Sequence, residues 1–282
     1  MSENTSIVAA GQKADIGCRV VLWDEPGGMS FYKPKTFSPR SGSLEKLREQ
    51  VNCFVLHHSV TYTAKLTFSG LIGRGLSVNF IIDDNDVDGY ATIYQCLDIK
   101  DVGWSHKPLN FAGPGVEISY QPTAWTTPAA YSDDNVKKYG VQHHVAMDDT
   151  VHGAKRKVFG PTEAQVKSCI ALLAGFCQLF PNAPVEFPKD KDGKIIKTVS
   201  KVQKGLLAHF HITNNKVDPM GFPFERVEAE VKAKLQPVVV EEPVEPPTDA
   251  APEEPKADGS FKITIKPGVW NWLKKHLTSA RG

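Results

Sequence analysis

Apolar positions along this chain fall into two kinds of block. Some are short continuous runs and others recur at helical spacing. The run VNCFVLHHS, starting at Val51, is almost unbroken until its two histidines, which is the pattern of a strand buried on both faces. Comparable β-rich blocks are Arg19–Trp23 (RVVLW), Leu76–Asp83 (LSVNFIID), Tyr90–Ile99 (YATIYQCLDI) and Gly115–Tyr120 (GVEISY). Between them lie helical patterns over Ser43–Gln50 and Thr63–Gly73, the second closed by Gly73-Arg74-Gly75. The clearest helix is Thr162–Phe180. Val166, Ile170, Leu173, Cys177 and Phe180 recur at steps of three or four, Thr162 is placed to cap the helix with Glu163 and Gln165 in its first turn, and Pro181 stops it. A last amphipathic helix is expected over Phe224–Leu235, with Val227, Val231 and Leu235 in line. Strands alternating with helices in this way predict an α/β domain with a central mixed β-sheet flanked by helices.

The pattern fails in five places. Residues 1–17 are small and polar and are expected to be loose. Asp83–Gly89 and the Lys191-Asp192-Gly193-Lys194 cluster read as hairpin turns. Residues 121–160 are long, polar and aromatic, with no clear period, and fit an insertion over a site. At Gln236 the composition changes: residues 237–260 carry six prolines and seven acidic residues against one lysine, which cannot bury a core and predicts a disordered, extended linker. Residues 261–282 then carry five basic residues and no acid, and Trp270, Leu273 and Leu277 share one face of a short helix. This tail fits an anchor to an anionic surface, a membrane or a partner. A helix docking back on the domain, or association with the acidic linker, fits the same residues. The domain reading is an N-terminal extension (1–45), a main domain (46–235), a Pro/Glu-rich linker (236–260) and a basic amphipathic tail (261–282).

Composition narrows the function classes. Of the 282 residues, 41% are hydrophobic and 23% charged, values ordinary for a globular protein, and a net charge of +1 gives no electrostatic case for nucleic-acid binding. The five cysteines form no C-x-x-C pair and mostly sit in or beside apolar runs, which predicts buried free thiols and a reducing compartment. The first fifteen residues lack a basic stretch followed by an apolar core, so no secretory signal is expected. No apolar run approaches the roughly 18 residues that a transmembrane helix needs.

Candidate chemistry concentrates in Leu207–Phe224, LAHFHITNNKVDPMGFPF. His209 and Asp218 are nine residues apart, with Lys216 two before the aspartate. A loop closing around an ion brings such residues together, and zinc takes imidazole nitrogen and carboxylate oxygen, a catalytic site holding it with three protein ligands and one open position. The third ligand would come from the strand end carrying His57 and His58. A surface loop that is rich in His and Asp by chance remains the competing reading at this point. Glu117 lies inside GVEISY between Val116 and Ile118, so it faces solvent, a cation or a cavity. The 121–160 segment also carries His143, His144 and His152, of which the adjacent His143–His144 pair is a weaker candidate for metal ligation.

Taken in order, VNCFVLHHS, RGLSVNFIID, IYQCLDIKDVGWSH, the Asn110–Ile118 segment ending in GVEI, a capped helix and LLAHFHITNNKVDPMGFPF resemble the zinc-dependent N-acetylmuramoyl-L-alanine amidase family. That family shares its fold with the peptidoglycan recognition proteins. The resemblance spans roughly residues 50–235. It implies Zn²⁺ held by His57, His209 and Asp218. Ala208 stands where the family usually has Gly, and Met220 intervenes before Gly221. His211 would share a strand face with His209 and stays open as an alternative ligand or as a residue behind the metal, as does His58; the motif register favours His209. With Val78 at the position where some members carry Tyr, the resemblance assigns the general base to Glu117 and the oxyanion partner to Lys216. His106 and Asn110 fall at substrate-lining positions, although Ser105 splits the usual Trp-His pair.

The activity implied is hydrolysis of the amide between N-acetylmuramic acid and L-alanine in peptidoglycan. An endolysin-like, bacteriolytic enzyme fits the linker and tail: it would be made in a cytoplasm without a signal peptide and act on the bacterial cell wall. The alternatives are an intracellular muropeptide-recycling amidase, a delivered antibacterial amidase toxin, and a non-catalytic peptidoglycan-binding protein. Peptidoglycan or muropeptide is the expected partner, with envelope or partner contact through the tail.

Overall fold

The computed structural model describes residues 3–32 and 37–236. The tail and nearly all of the linker therefore lie outside the described residues. In chain order the elements begin with a hairpin of β1 (Ser6–Ala9) and β2 (Gln12–Asp15), followed by β3 (Val20–Leu22), the two-residue β4 (Ser38–Pro39), α1 (Leu44–Gln50) and β5 (Cys53–His58). Next come α2 (Ala64–Gly73), β6 (Phe80–Ile82), β7 (Ile93–Gln95), β8 (Asp101–Val102) and β9 (Gly115–Ile118). The 121–160 segment contains α3 (Asp133–Tyr139) and the hairpin of β10 (Ala146–Val151) and β11 (Ala154–Phe159). The chain closes with α4 (Glu163–Leu179), β12 (Gly205–Ala208), a single 3-10 turn at His209–His211, and α5 (Phe224–Leu235).

Six strands form one mixed sheet in the order β12-β5-β9-β6-β7-β3. The β12, β5, β9 and β6 strands are parallel, β7 runs against β6, and β3 is parallel to β7. This is the mixed α/β sheet that the hydrophobic pattern predicts. β5 reads as a continuous apolar run because both its faces are covered, and all six of its residues are buried. Its alternation still matters. Phe54 and Leu56 face the main core, where the Phe54 ring meets Phe176 of α4 at 5.0 Å. Cys53 and Val55 face a smaller cluster with Leu207 and Ile212. By the two-residue period, His57 follows Cys53 and Val55, and His58 follows Phe54 and Leu56.

α4 is the central helix, and its N-terminus is capped as its sequence predicts. Thr162 accepts from the Gln165 N–H while the Gln165 side chain accepts from the Thr162 N–H, a full capping box. The Gln165 amide then donates to the carbonyls of Asp83 and Ser119, tying the helix start to the ends of the sheet. The helix is buried nearly all round rather than along one stripe, because α5 and the N-terminal hairpin cover it as well.

That hairpin corrects the expectation of a loose N-terminus. Ile7, Val8 and Ala9 are buried, and the tight turn runs through Ala10 and Gly11 at φ 50° and 78°. The strands are only four residues long and carry no NG or DG turn, so the local pattern is weak; tertiary burial against α4 supplies what propensity does not. Residues 1–45 also supply β3 to the main sheet. At Gly175 on α4 an added Cβ would sit 2.3 Å from Ile16 Cγ2 and 3.3 Å from Ile7 Cδ1. Gly175→Val is therefore expected to lower unfolding free energy in urea by about 1–3 kcal/mol through overpacking. Unchanged stability would contradict the docking of the hairpin on α4.

Candidate active site

Three carboxyl-terminal strand ends meet on the face of the sheet opposite α4. The register pairs His57 of β5 with Glu117 of β9, and Ala208 of β12 with Leu56. His209, one residue beyond β12, thus arrives beside His57. In open α/β sheets the carboxyl ends of parallel strands are where ligand sites form. Here they deliver His209, His57 and Glu117 in one row.

His57 Nδ1 lies 2.9 Å from His209 Nδ1 and 2.9 Å from Asp218 Oδ2, and His209 Nδ1 lies 3.0 Å from the same carboxylate oxygen. These are the only three residues among those described whose His, Cys, Asp or Glu atoms converge closely enough to hold a metal ion. Burial, reinforced by His209, pulls His57 down to about 4, so its imidazole is neutral, the form in which a ring nitrogen can bind a metal. Burial acts to raise Asp218, but the hydrogen bonds from His209 and His57 outweigh it and hold the carboxylate well below its ordinary range. Two imidazole nitrogens and one ionised oxygen in a closed triangle, open on one side to a cavity, match a catalytic zinc donor set.

His209 and His211 differ sharply in their surroundings. β12 ends at Ala208 and the chain turns into the 3-10 segment, so the two histidines do not share a strand face. His211 Nδ1 accepts from the Ala208 N–H at 2.9 Å and its Nε2 donates to the Ile196 carbonyl at 2.7 Å. Both ring nitrogens are used by the backbone, and the ring is turned away from the triangle. His58 is separated by the two-residue alternation of β5. Its Nδ1 accepts from the Met220 N–H at 3.1 Å, so it grips the turn after Asp218 instead of joining the donor set.

That turn is held from several sides. Asp218 is followed by a cis peptide bond to Pro219. Tyr120 Oη donates to the Met220 carbonyl at 2.6 Å, and the Gly221 N–H donates to Asp149 Oδ2 at 2.8 Å. Gly221 has φ +67°, and a Cβ there would meet the Gly160 backbone at 2.9 Å, so only glycine fits. Asp149 belongs to β10 and is paired with Lys197 at 2.6 Å. These supports were not legible from the sequence, because Tyr120 and Asp149 carry no motif of their own. The His143–His144 pair lies elsewhere. His143 is largely exposed near Asp133, and His144 bridges Asp84 and the Gly160 carbonyl while stacking on Tyr131.

Glu117 is buried, and its Oε2 has no hydrogen-bond partner. Burial first, then the Asp218 charge, push its carboxyl up to about 8, while Lys216 and Arg74 act in the opposite sense. A buried carboxylate oxygen without a partner is rare, and carboxyls raised by burial beside a second charge are concentrated at functional sites. It lines a cavity of about 300 Å³ together with His57, His209, Asp218, Lys216 and Arg74. A neighbouring cleft of about 440 Å³ shares His209 and Lys216 and is lined further by Trp104, His106 and Asn110. In it, His106 and Asn110 shape the wall: Asn110 Oδ1 accepts from the His106 N–H, and both His106 ring nitrogens lie against protein groups, Ser105 Oγ and the Gly113 carbonyl. The His106 ring stacks on His57 at 5.6 Å. Arg40 fixes this loop through the carbonyls of Asn110 and Gly113.

The family of the chain follows from a direct comparison. A family model described as N-acetylmuramoyl-L-alanine amidase matches residues 47–221, more than half of the chain, and the protein belongs to that family. No curated protein matches in sequence. Among solved structures, the chain is similar to the endolysin N-acetylmuramoyl-L-alanine amidase LysCS from Clostridium intestinale URNW, with 16% identity, 76% of this chain and 95% of that chain covered, and a TM-score of 0.42. It is also similar to AmpDh3 from Pseudomonas aeruginosa in complex with anhydromuramic pentapeptide (16% identity, 64% and 60% covered, TM-score 0.40). A third is the Staphylococcus aureus hydrolase AmiA in complex with its ligand (12% identity, 77% and 83% covered, TM-score 0.43). The family assignment stands on the 47–221 match and not on these distant likenesses. None of the described helices is long and apolar enough to cross a membrane.

The environment of His211 has a measurable consequence. Burial pulls its pKa down to about 4, because the neutral ring satisfies both backbone partners and a second ring proton would face the Ala208 N–H. The unfolded chain takes up this proton near pH 6.5, so the contribution is intact above that pH and is lost as pH falls toward about 4. His211→Gln should flatten the pH dependence of urea stability between pH 6.5 and 4. An unchanged slope would rule out His211 as a source of it. At the cavity rim, Val60 is an exposed β-branched residue at φ 56°, a strained conformation. Val60→Gly is expected to raise stability by about 1 kcal/mol in the same assay.

Proposed function

We propose that this protein is a zinc-dependent amidase that hydrolyses the bond between N-acetylmuramic acid and L-alanine of peptidoglycan. The observation that carries the reading is the closed triangle of His57 Nδ1, His209 Nδ1 and Asp218 Oδ2 beside the unpartnered Glu117 carboxyl, all bordering one cavity. When bound at these three residues, zinc would supply Lewis acidity, lowering the pKa of water toward about 7 and polarising the amide carbonyl.

The chain's own groups divide the remaining work. Glu117 accepts a proton from the attacking water and returns it to the leaving L-alanine amine. Lys216 and Arg74 favour its ionised form, and a cation at the triangle acts in the same direction. Lys216, exposed at the junction of the two cavities, stabilises the oxyanion as the carbonyl becomes tetrahedral, a contribution of about 3 kcal/mol in comparable sites. Asp218 stays ionised and anchors the loop that carries Lys216. His106, Asn110 and Trp104 wall the cleft on the far side of His209, giving the substrate two arms around the scissile bond.

An endolysin-like role on the cell wall is the biology we favour, with the 261–282 tail meeting an anionic envelope surface and residues 236–260 as its linker. This rests on sequence composition alone. Muropeptide recycling or toxin delivery would use the same site. A purely binding role is less well supported, because such a protein needs neither the full donor set nor a buried carboxyl beside it.

Peptidoglycan incubated with the protein and examined by mass spectrometry should release intact stem peptides with free L-alanine N-termini, and a chelator should abolish that release. Glycan-chain cleavage, or product unaffected by chelation, would contradict the proposal. Glu117→Gln should retain bound zinc and lose turnover by about a hundredfold or more. Retained turnover would remove Glu117 from its role.

A further inference from the structure

The β10–β11 hairpin contributes no metal ligand and no catalytic group, yet its tip reaches the loop that carries Lys216 and Asp218. His152 and Gly153 are the two turn residues, at φ 51° and 76°, bracketed by the Val151–Ala154 pair. Left-handed backbone at both central positions defines a type I′ turn, where Asn, Asp and Gly are preferred and a bulky non-glycine residue is strained. A histidine is a poor choice for such a turn on backbone grounds alone.

Its side chain supplies the reason. His152 Nε2 lies 2.9 Å from the Lys216 carbonyl oxygen and donates to it. The ring stands edge-on to Phe210 at 6.4 Å and 87°, and the His152 N–H is held by the Lys197 carbonyl at 2.9 Å. Phe210 in turn donates its N–H to the Asp218 carbonyl. On the other side of Asp218, Asp149 of the same hairpin takes the Gly221 N–H. One hairpin therefore grips the loop on both sides of the proposed metal ligand. Lys216 itself is exposed, so its backbone needs an external hold if its ammonium is to stay directed at the junction of the two cavities.

We propose that His152 is a positioning residue for Lys216, acting through this carbonyl hydrogen bond, and that the hairpin is retained in the fold as a clamp on the 216–221 loop. The inference rests on the assignment of Lys216 as the oxyanion partner. Backbone strain makes the test informative, since His152→Gly relaxes the turn while removing the contact. The measurement is steady-state kinetics on a soluble N-acetylmuramoyl peptide with the zinc-loaded enzyme, for wild type, His152→Gly, Lys216→Ala and the double variant, together with thermal midpoints.

His152→Gly should keep a thermal midpoint at or above wild type and a KM within about twofold, and lose about tenfold in kcat. Lys216→Ala should lose about a hundredfold, and adding His152→Gly to it should cost nothing more. Wild-type kcat in His152→Gly alongside a loss in Lys216→Ala overturns this proposal and leaves the role of Lys216 standing. Additive losses in the double variant, or a thermal midpoint that falls with kcat, overturn it as well and assign His152 to the turn alone. Full kcat in Lys216→Ala removes the underlying assignment and the inference with it.

Discussion

Everything in the candidate site depends on one close approach: two imidazole nitrogens and a carboxylate oxygen within 3.0 Å of one another, inside the protein. Left alone, such a cluster is expensive to form. Three buried polar atoms compete for few protons, and the His57 Nε2 on the far side of the ring has no partner. A cation satisfies all three lone pairs at once, which is why the cluster reads as a metal site and not as an ordinary buried network. The fold's contribution is rigidity. His57 and Glu117 are fixed by sheet register, His209 by the abrupt end of β12, and Asp218 by a turn held through His58, Tyr120 and Asp149.

The same geometry explains why the sheet runs as it does. Parallel β12, β5 and β9 place their carboxyl ends side by side, so residues far apart in the chain become neighbours without a long loop. α4 covers the opposite face and is itself sealed by α5 and the N-terminal hairpin. Burial on both sides keeps the strand ends from fraying, and the low dielectric there keeps His57 neutral and Glu117 raised.

Much of this was legible in the sequence. The apolar run at β5, the capped α4 helix and the ordered motifs identified the fold, and the family resemblance pointed to His57, Glu117, His209 and Asp218, which the fold brings to one cavity. What escaped had no local signature. The 6–15 hairpin is held by burial against α4 and by hydrogen bonds to Gln95 and Asp98, and sequence carries little trace of contacts made so far along the chain. That His209 and His211 do not share a strand face could not be read from a strand pattern, because the chain switches to a 3-10 turn after Ala208. Tyr120 and Asp149 act through backbone groups of the 219–221 turn, and such contacts leave no spacing to read. His106 and Asn110 line the cleft but spend their polar atoms on its wall.

The most direct test of the central claim is metal content, measured by mass spectrometry on protein purified without added metal, for wild type, His209→Ala and His211→Ala. The triangle predicts one zinc per chain in wild type and in His211→Ala, and none in His209→Ala. Zinc retained by His209→Ala, or lost only from His211→Ala, would contradict it.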